Sequence, residues 1–211
     1  MLGRARWDAA VPPPWRTATL LPGARSALIC GCGGRSFGAA FARAPEARDG
    51  APDPVDRFTR RAVEAALPAA GACAVFYWER RGGAFLDLVA LGEACGLGVP
   101  SRLGLLLHPR LGPWLSIRAA VLTEVELAPT MALAGFAPCA ACEGFCRAAC
   151  PGRAPGPAGF DVAACAGATR RIPACRERCD ARRACPIGRE HAPDAALERR
   201  QRVAAAARLL A

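Results

Sequence analysis

The sequence predicts an α+β protein in two parts, a mixed strand-and-helix region followed by a cysteine-rich module. Three observations carry this. Short apolar runs bounded by glycine or proline alternate with stretches of helical period up to about residue 128. Eight of the twelve cysteines lie between Cys139 and Cys185. Those eight form two groups, each closed by Cys-Pro: C-x2-C-x3-C-x3-C-P (Cys139, Cys142, Cys146, Cys150, Pro151) and C-x3-C-x5-C-P (Cys175, Cys179, Cys185, Pro186), with Cys165 alone between them.

Residues 1–25 are rich in Pro and Arg and poorly patterned; Trp7 and Trp15 are expected to pack onto the domain surface. Residues 26–32 read as a buried strand leading into Gly31, Gly33 and Gly34. The third glycine of a dinucleotide fingerprint is missing, so a plain strand-to-loop turn is the reading. Cys30 and Cys32 would share one strand face as packed thiols. Residues 43–52 read as a loop. Asp53 and Pro54 open a helix as N-cap and first-turn proline. Val55, Phe58, Ala62 and Ala65 continue it at helical spacing, and Pro68 and Gly71 end it. A second strand is expected over 72–78. A helix over 85–95 follows, with Asp87 inside it as a solvated carboxylate, stopped by Gly96 and Gly98. A third strand covers 103–107 and a fourth 114–125. In the cysteine module, residues 151–159 form a loop and Asp161 caps a helix carrying Cys165. Pro193 and Asp194 open a last helix with Ala196, Val203, Ala207 and Leu210 on its packing side. The expected division is a poorly patterned segment 1–25, an α+β domain 26–130, a two-cluster domain 131–192 and a C-terminal helix 193–211.

All 28 basic residues are Arg, and the formal net charge is +10. Absence of Lys excludes Schiff-base chemistry and a P-loop lysine. No run of signal-peptide length survives Pro12 to Pro14, Arg16, Pro22 and Arg25, and no apolar run is long enough for a membrane span. A cytoplasmic chain is expected, which argues against reading the cysteines as disulfides.

Eight thiols suffice for two [4Fe–4S] clusters with four ligands each. In two-cluster ferredoxins the Cys-Pro cysteine of one run ligates the other cluster. Applied here, Cys139, Cys142, Cys146 and Cys185 hold one cluster, and Cys150, Cys165, Cys175 and Cys179 the other, so every cysteine is used once. Zinc is the competing reading, but its sites usually come as two separated pairs rather than a compact run ending in proline. Each cluster with its thiolates carries about −2, which would bring the loaded chain to roughly +6. Arg147, Arg153, Arg170, Arg171, Arg176, Arg178, Arg182, Arg183 and Arg189 lie near the motifs. They could raise a cluster's potential, dock an acidic redox partner or RNA, or form a solvated surface.

Residues 93–117, EACGLGVPSRLGLLLHPRLGPWLSI, resemble two related families. His108, Pro109, Arg110, Gly112, Trp114, Ile117 and Arg118 match a pattern of the cblC-type cobalamin-processing protein. The stretches 95–98, 103–107 and 112–114 resemble the Ala-Gly-Leu-Gly loop, Leu-rich strand and Gly-x-Trp turn of epoxyqueuosine reductase. That family follows its reductase domain with a two-cluster ferredoxin module, whose second cluster takes a lone cysteine from a helix between the runs. Small bacterial ferredoxin-like proteins share the architecture. The resemblance implies a nitroreductase-like α+β domain of the cobalamin-processing type, followed by a ferredoxin-like two-[4Fe–4S] module. It implies Gly96, Gly98, His108, Arg110 and Trp114 as cofactor-binding candidates, for cobalamin or, as second choice, FMN. Read without it, His108 is a hydrogen-bonded structural histidine, Trp114 is core, and Arg118 needs a partner, either a cofactor group or a carboxylate such as Glu124 or Glu126.

Two functions follow as expectations. In one, two clusters pass single electrons to a cobalamin or flavin site in the N-terminal domain, as in an oxidoreductase. In the other, the chain is a simple electron carrier whose N-terminal domain binds a redox partner. A zinc-stabilised RNA-binding protein is the third reading.

Overall fold

A computed structural model describes residues 1–210. In chain order it runs β1 (Leu2–Gly3), α1 (Arg4–Ala10), α2 (Thr17–Leu20), β2 (Ser26–Gly33), α3 (Gly34–Arg43), α4 (Pro54–Ala65), β3 (Ala72–Phe76), α5 (Leu88–Ala94), β4 (Val99–Pro100), β5 (Leu106–Leu107) and β6 (Leu115–Thr123). It continues through α6 (Phe145–Ala149), β7 (Pro155–Gly156), β8 (Gly159–Phe160), α7 (Val162–Arg171), α8 (Ala174–Glu177), α9 (Asp180–Arg183) and α10 (Ala195–Leu210). The fold is mixed α and β. No described helix is long and apolar enough to cross a membrane.

The chain forms two compact units, and both are discontinuous. The first comprises Met1–Cys32, Asp56–Gly98 and Ser116–Ala134; the second comprises Gly33–Val55, Val99–Leu115 and Gly135–Ala211. The linear reading places breaks near residues 25, 130 and 192. The units instead interleave, because membership is decided by contacts between residues distant in the chain, which composition does not register.

The first unit is built on a four-stranded sheet in the order β1-β2-β6-β3. β3 pairs antiparallel with β6, with Cys73 opposite Leu122 and Val75 opposite Ala120. One face packs Val75, Ala120 and Leu122 with Leu88 and Leu91 of α5 and with Trp7 and Trp15. Those two tryptophans are fully buried, at 0% exposure, and not on the surface as expected. Each spends its indole N–H on a carbonyl, Trp7 on Trp15 at 2.9 Å and Trp15 on Ala84 at 3.3 Å. The Asp8 carboxylate accepts from both the backbone N–H and the hydroxyl of Thr17, each at 2.7 Å. The first 25 residues therefore fold as short elements anchored by single large side chains, which leaves no periodic signal.

Asp87 is not inside α5; it is the N-cap, accepting from the Ala90 N–H at 2.9 Å. Gly96 has φ +72, and a Cβ there would stand 2.2 Å from the Met131 carbonyl oxygen. Only glycine allows that close approach.

In the second unit, α3 occupies residues that the sequence reading left unassigned or in a loop. Gly34 and Gly38 lower its helical signal, yet Gly38 is where Leu197 of α10 comes closest. The expected strand over 103–107 shrinks to β5, paired with β4. Gly104 at φ +68 breaks it, and Ser101 turns the chain by donating from both N–H and hydroxyl to the Leu105 carbonyl. α7 begins on Asp161, which accepts from Ala164 N–H at 2.9 Å. α10 begins on Asp194, which accepts from Leu197 N–H at 2.8 Å. Both caps are as expected. The buried side of α10 is Leu197, Glu198 and Ala206, whereas Val203 is half exposed. An alanine-rich helix has too little contrast between its faces for the period to choose one.

Candidate metal centre

The second unit gathers all eight motif cysteines, and none is in a disulfide. Cys146 lies on α6, Cys165 on α7 and Cys175 on α8; Cys179 is the residue before α9, and Cys150 the residue after α6. Gly144, in the left-handed region at φ +84, brings its N–H to Cys142 Sγ at 3.4 Å. The backbone N–H groups of Arg147, Arg182 and Ile187 act to lower the pKa of Cys146, Cys179 and Cys185 against the larger effect of burial.

The thiols influence one another in two sets of four. Burial pushes Cys146 up, the Arg147 N–H pulls it back, and Cys142 and Cys139 push it up again. Burial raises Cys185, the Ile187 N–H lowers it, and Cys139, Cys146 and Cys142 raise it. Burial raises Cys175, with further upward pressure from Cys150, Cys179 and Cys165 against the charge of Arg202. Cys179 is raised by burial and Cys165, and lowered by the Arg182 N–H and the charges of Arg202 and Arg182. The neighbours so named match the two expected quartets: Cys139 and Cys142 act with Cys146 and Cys185 in the first, and Cys150 and Cys165 act on Cys175, with Cys165 also on Cys179, in the second. Each Cys-Pro cysteine stands with the other run's thiols. Mutual elevation of this kind is relieved when a cation takes the place of the protons.

Apolar side chains back the first quartet. Leu103, Leu107 and Ala181 pack around Cys146 and Cys185, with Cys139 at the edge. A turn at residues 108–112 seats this group. His108 and Gly112 exchange backbone hydrogen bonds at 3.0 and 2.8 Å. A Cβ on Gly112 would lie 1.9 Å from the Ile187 oxygen, so the two backbones touch just beyond Cys185.

The arginines near the motifs are mostly engaged. Arg147 donates to the Arg153 and Pro155 carbonyls, Arg176 to those of Thr169 and Arg170, and Arg189 to those of Cys185 and Ala184. Arg178 pairs with Asp180, and Arg183 with Glu198. Arg153, Arg170 and Arg171 stand exposed. Two residues of α10 that sequence reasoning missed also reach the second quartet. Glu198, 4% exposed, accepts from the Cys179 N–H at 3.3 Å and from Arg183. Arg202 donates to the Cys175 carbonyl. Their only signal in the sequence is an i, i+4 Glu–Arg spacing, which surface helices share.

The five cofactor candidates are drawn from both units. Gly96 and Gly98 belong to the first unit; His108, Arg110 and Trp114 belong to the second. His108 Nδ1 accepts from the N–H groups of Arg110 and Leu111, both at 3.0 Å. Burial, then Arg110 and His191, hold its pKa below the ordinary value. Arg110 is exposed. Trp114 is 3% exposed, and the Arg182 guanidinium lies 4.5 Å from its ring centroid. Arg118 finds neither Glu124 nor Glu126. Its carboxylate is Asp56 at 3.5 Å, which also accepts from the Tyr77 hydroxyl at 2.9 Å. A cleft of about 410 Å³ in the second unit is lined by Arg35, Gly38, Ala39, Ala42, Ala192, Pro193 and Asp194, and contains none of the five.

Among the described residues, no three or more His, Cys, Asp or Glu converge on a single point as they would around one metal ion. Thiolates of a cubane site each hold a different iron, so they need not converge.

The fold is similar to that of a solved structure of epoxyqueuosine reductase, at low sequence identity. A selenomethionine-labelled epoxyqueuosine reductase matches with 16% identity and TM-score 0.50, over 84% of this chain and 55% of that one. An epoxyqueuosine reductase bound to an epoxyqueuosine-modified tRNA-Tyr stem loop matches with 14% identity and TM-score 0.48, over 85% and 53%. The Bacillus subtilis enzyme matches with 15% identity and TM-score 0.43, over 83% and 47%. This chain spans about half the length of those proteins. No protein-family model and no curated protein sequence matches it.

Proposed function

We propose that this chain is an iron–sulfur redox protein, in which each quartet of thiols holds one [4Fe–4S] cluster. The observation that carries the reading is the gathering of eight free cysteines in one compact unit, with Cys146 and Cys185 neighbouring Cys139 and Cys142, and Cys175 neighbouring Cys150, Cys165 and Cys179. Eight soft sulfur donors, with backbone N–H groups aimed at four of them, fit the group. When bound, the clusters supply one-electron chemistry. The chain contributes the thiolates, N–H donors that favour added negative charge, and an apolar backing of Leu103, Leu107 and Ala181.

A second reading makes the protein a reductase that passes those electrons to cobalamin or FMN. Its support is the shared fold with epoxyqueuosine reductase at TM-score 0.50. The nominated residues fit a bound cofactor poorly. The space over Gly96 is taken by Met131, His108 Nδ1 is spent on the backbone, and Trp114 lies under Arg182. We therefore favour the carrier, working with a redox partner in the cytoplasm, and derive no step through cobalamin. Nucleic-acid binding is not part of this reading, since most arginines near the motifs already hold carbonyls or carboxylates.

The test is anaerobic purification and reconstitution, with iron and sulfide analysis. About eight irons per chain and a paramagnetic signal on reduction are expected. A colourless chain carrying only zinc overturns the proposal. Titration with cobalamin or FMN then divides the two readings: a spectral shift and thermal stabilisation would favour the reductase.

A further inference from the structure

We propose that Arg202 is a hydrogen-bond donor to the sulfur of the second quartet's cluster, and that it holds that cluster's reduction potential above the first's. This rests on the cluster reading above and goes beyond it, because it makes the two centres unequal and names the residue responsible.

Arg202 lies on α10, one turn beyond Glu198. One terminal nitrogen of its guanidinium donates to the Cys175 carbonyl. Its Nε is shielded from solvent and has no hydrogen-bond partner. A buried guanidinium N–H without an acceptor is costly and needs an explanation. The groups its charge acts upon are the thiols of Cys175 and Cys179. A protonated thiol is a poor acceptor, whereas a metal-bound thiolate is a good one. The missing partner of Nε is therefore the sulfur of a loaded site.

The nearest carboxylate on the helix does not cancel this charge. Glu198 stands at the i−4 position, but its charge is already offset by the guanidinium of Arg183. One of its oxygens accepts from the Cys179 N–H and the other from Arg183. The guanidinium charge is thus left to face the second quartet. At the first quartet the corresponding arginines differ in one respect: Arg102 donates to the Cys142 carbonyl and Arg189 to those of Cys185 and Ala184, and among the described residues neither keeps a buried nitrogen without an acceptor. Hydrogen bonds to sulfur and nearby positive charge both favour the reduced, more negative state of a cluster. The second centre is then the one reduced first. Arg202 is a positioning residue, acting on the potential and not on any substrate.

The experiment is a redox titration of the full chain, reconstituted anaerobically and followed by electron paramagnetic resonance. Cys165→Ser, which removes the second centre, identifies the signals. In Arg202→Gln, the midpoint of the second centre should fall by at least a tenfold change in the one-electron equilibrium, about 59 mV. The first midpoint should stay where it is. Arg202→Lys keeps the charge without the Nε donor and should fall in between. Full iron content with both midpoints unmoved in Arg202→Gln overturns the inference, as does a shift confined to the first centre. If Arg202→Gln fails to load the second site, the wild-type chain labelled with 15N at arginine Nε decides. Pulsed resonance should show 15N coupling on the second centre's signal, and its absence overturns the inference. A wild-type chain that takes up no iron fails differently, because it removes the cluster reading itself.

Discussion

Replacing Cys165 with serine should halve the iron of the loaded chain and leave the other half spectroscopically normal. Cys165 sits on α7, a helix fixed independently of the thiol by the Asp161 cap and by buried Ala166, Ala168 and Thr169. Serine is close in size and is tolerated there, but its hydroxyl is a hard, protonated group that does not replace a thiolate. Iron should drop from about eight to about four per chain. Two double variants make the prediction sharper. Cys150 and Cys165 stand in the same quartet, so Cys150→Ser combined with Cys165→Ser should lose no more iron than either alone. Cys165→Ser combined with Cys185→Ser removes one thiol from each quartet and should lose nearly all of it. If the quartets followed the two runs along the chain, with Cys150 beside Cys139 and Cys185 beside Cys175, these outcomes would be reversed. This is the non-additivity expected of groups that act as a unit. The assay is anaerobic iron and sulfide analysis of each variant, with Cys30→Ser, Cys73→Ser and Cys95→Ser as controls that keep all their iron. Undiminished iron in Cys165→Ser, or the reversed pattern in the doubles, refutes the reasoning.

Gly112→Ala should destabilise the iron-loaded chain by about 3 kcal/mol or more, read as a lower denaturation midpoint. The residue combines φ +57 with a backbone oxygen 1.9 Å from its missing Cβ. Trp15→Ala should cost about 3–5 kcal/mol in urea unfolding, and Trp15→Phe clearly less; equal losses would show that the buried volume matters less than the bond to Ala84. The His108 imidazole is held below its ordinary value first by burial, then by Arg110 and His191. Because the folded value is the lower one, the unfolded chain binds more protons, and this contribution is present above about pH 6.5 and lost as pH falls towards the folded value. The urea midpoint should therefore fall from about pH 7 to about pH 5.5, and His108→Asn, which keeps an acceptor but does not titrate, should flatten part of that fall.

What could be read in the sequence was what rests on short-range chemistry. Asp161 and Asp194 announce their helices because an acidic residue before an alanine run satisfies free N–H groups. The strands at 72–76 and 115–123 show as apolar runs because both faces of much of their length are covered. The proposed pairing of the cysteines rests on the two Cys-Pro endings read by the rule of two-cluster ferredoxins. What could not be read was what depends on distant partners. Trp7 and Trp15 lie in a proline-broken stretch, and only the fold shows that each meets a buried carbonyl. Arg118 was left to choose among carboxylates near it in sequence, yet its partner Asp56 lies 62 residues away. α10 turned its polar Glu198 inward because the Arg183 guanidinium and the Cys179 backbone N–H were waiting for it. No period of apolar residues records that.

The position of Cys185 has a bearing on how the protein is made. Three members of the first quartet leave the ribosome early in the module, but the fourth follows only after all of the second set has been synthesised. In the proposed pairing the second site has all its sulfurs once Cys179 is made, whereas the first stays one thiol short until Cys185, six residues later. Metal reaching the growing chain would therefore meet a complete second site before a complete first one.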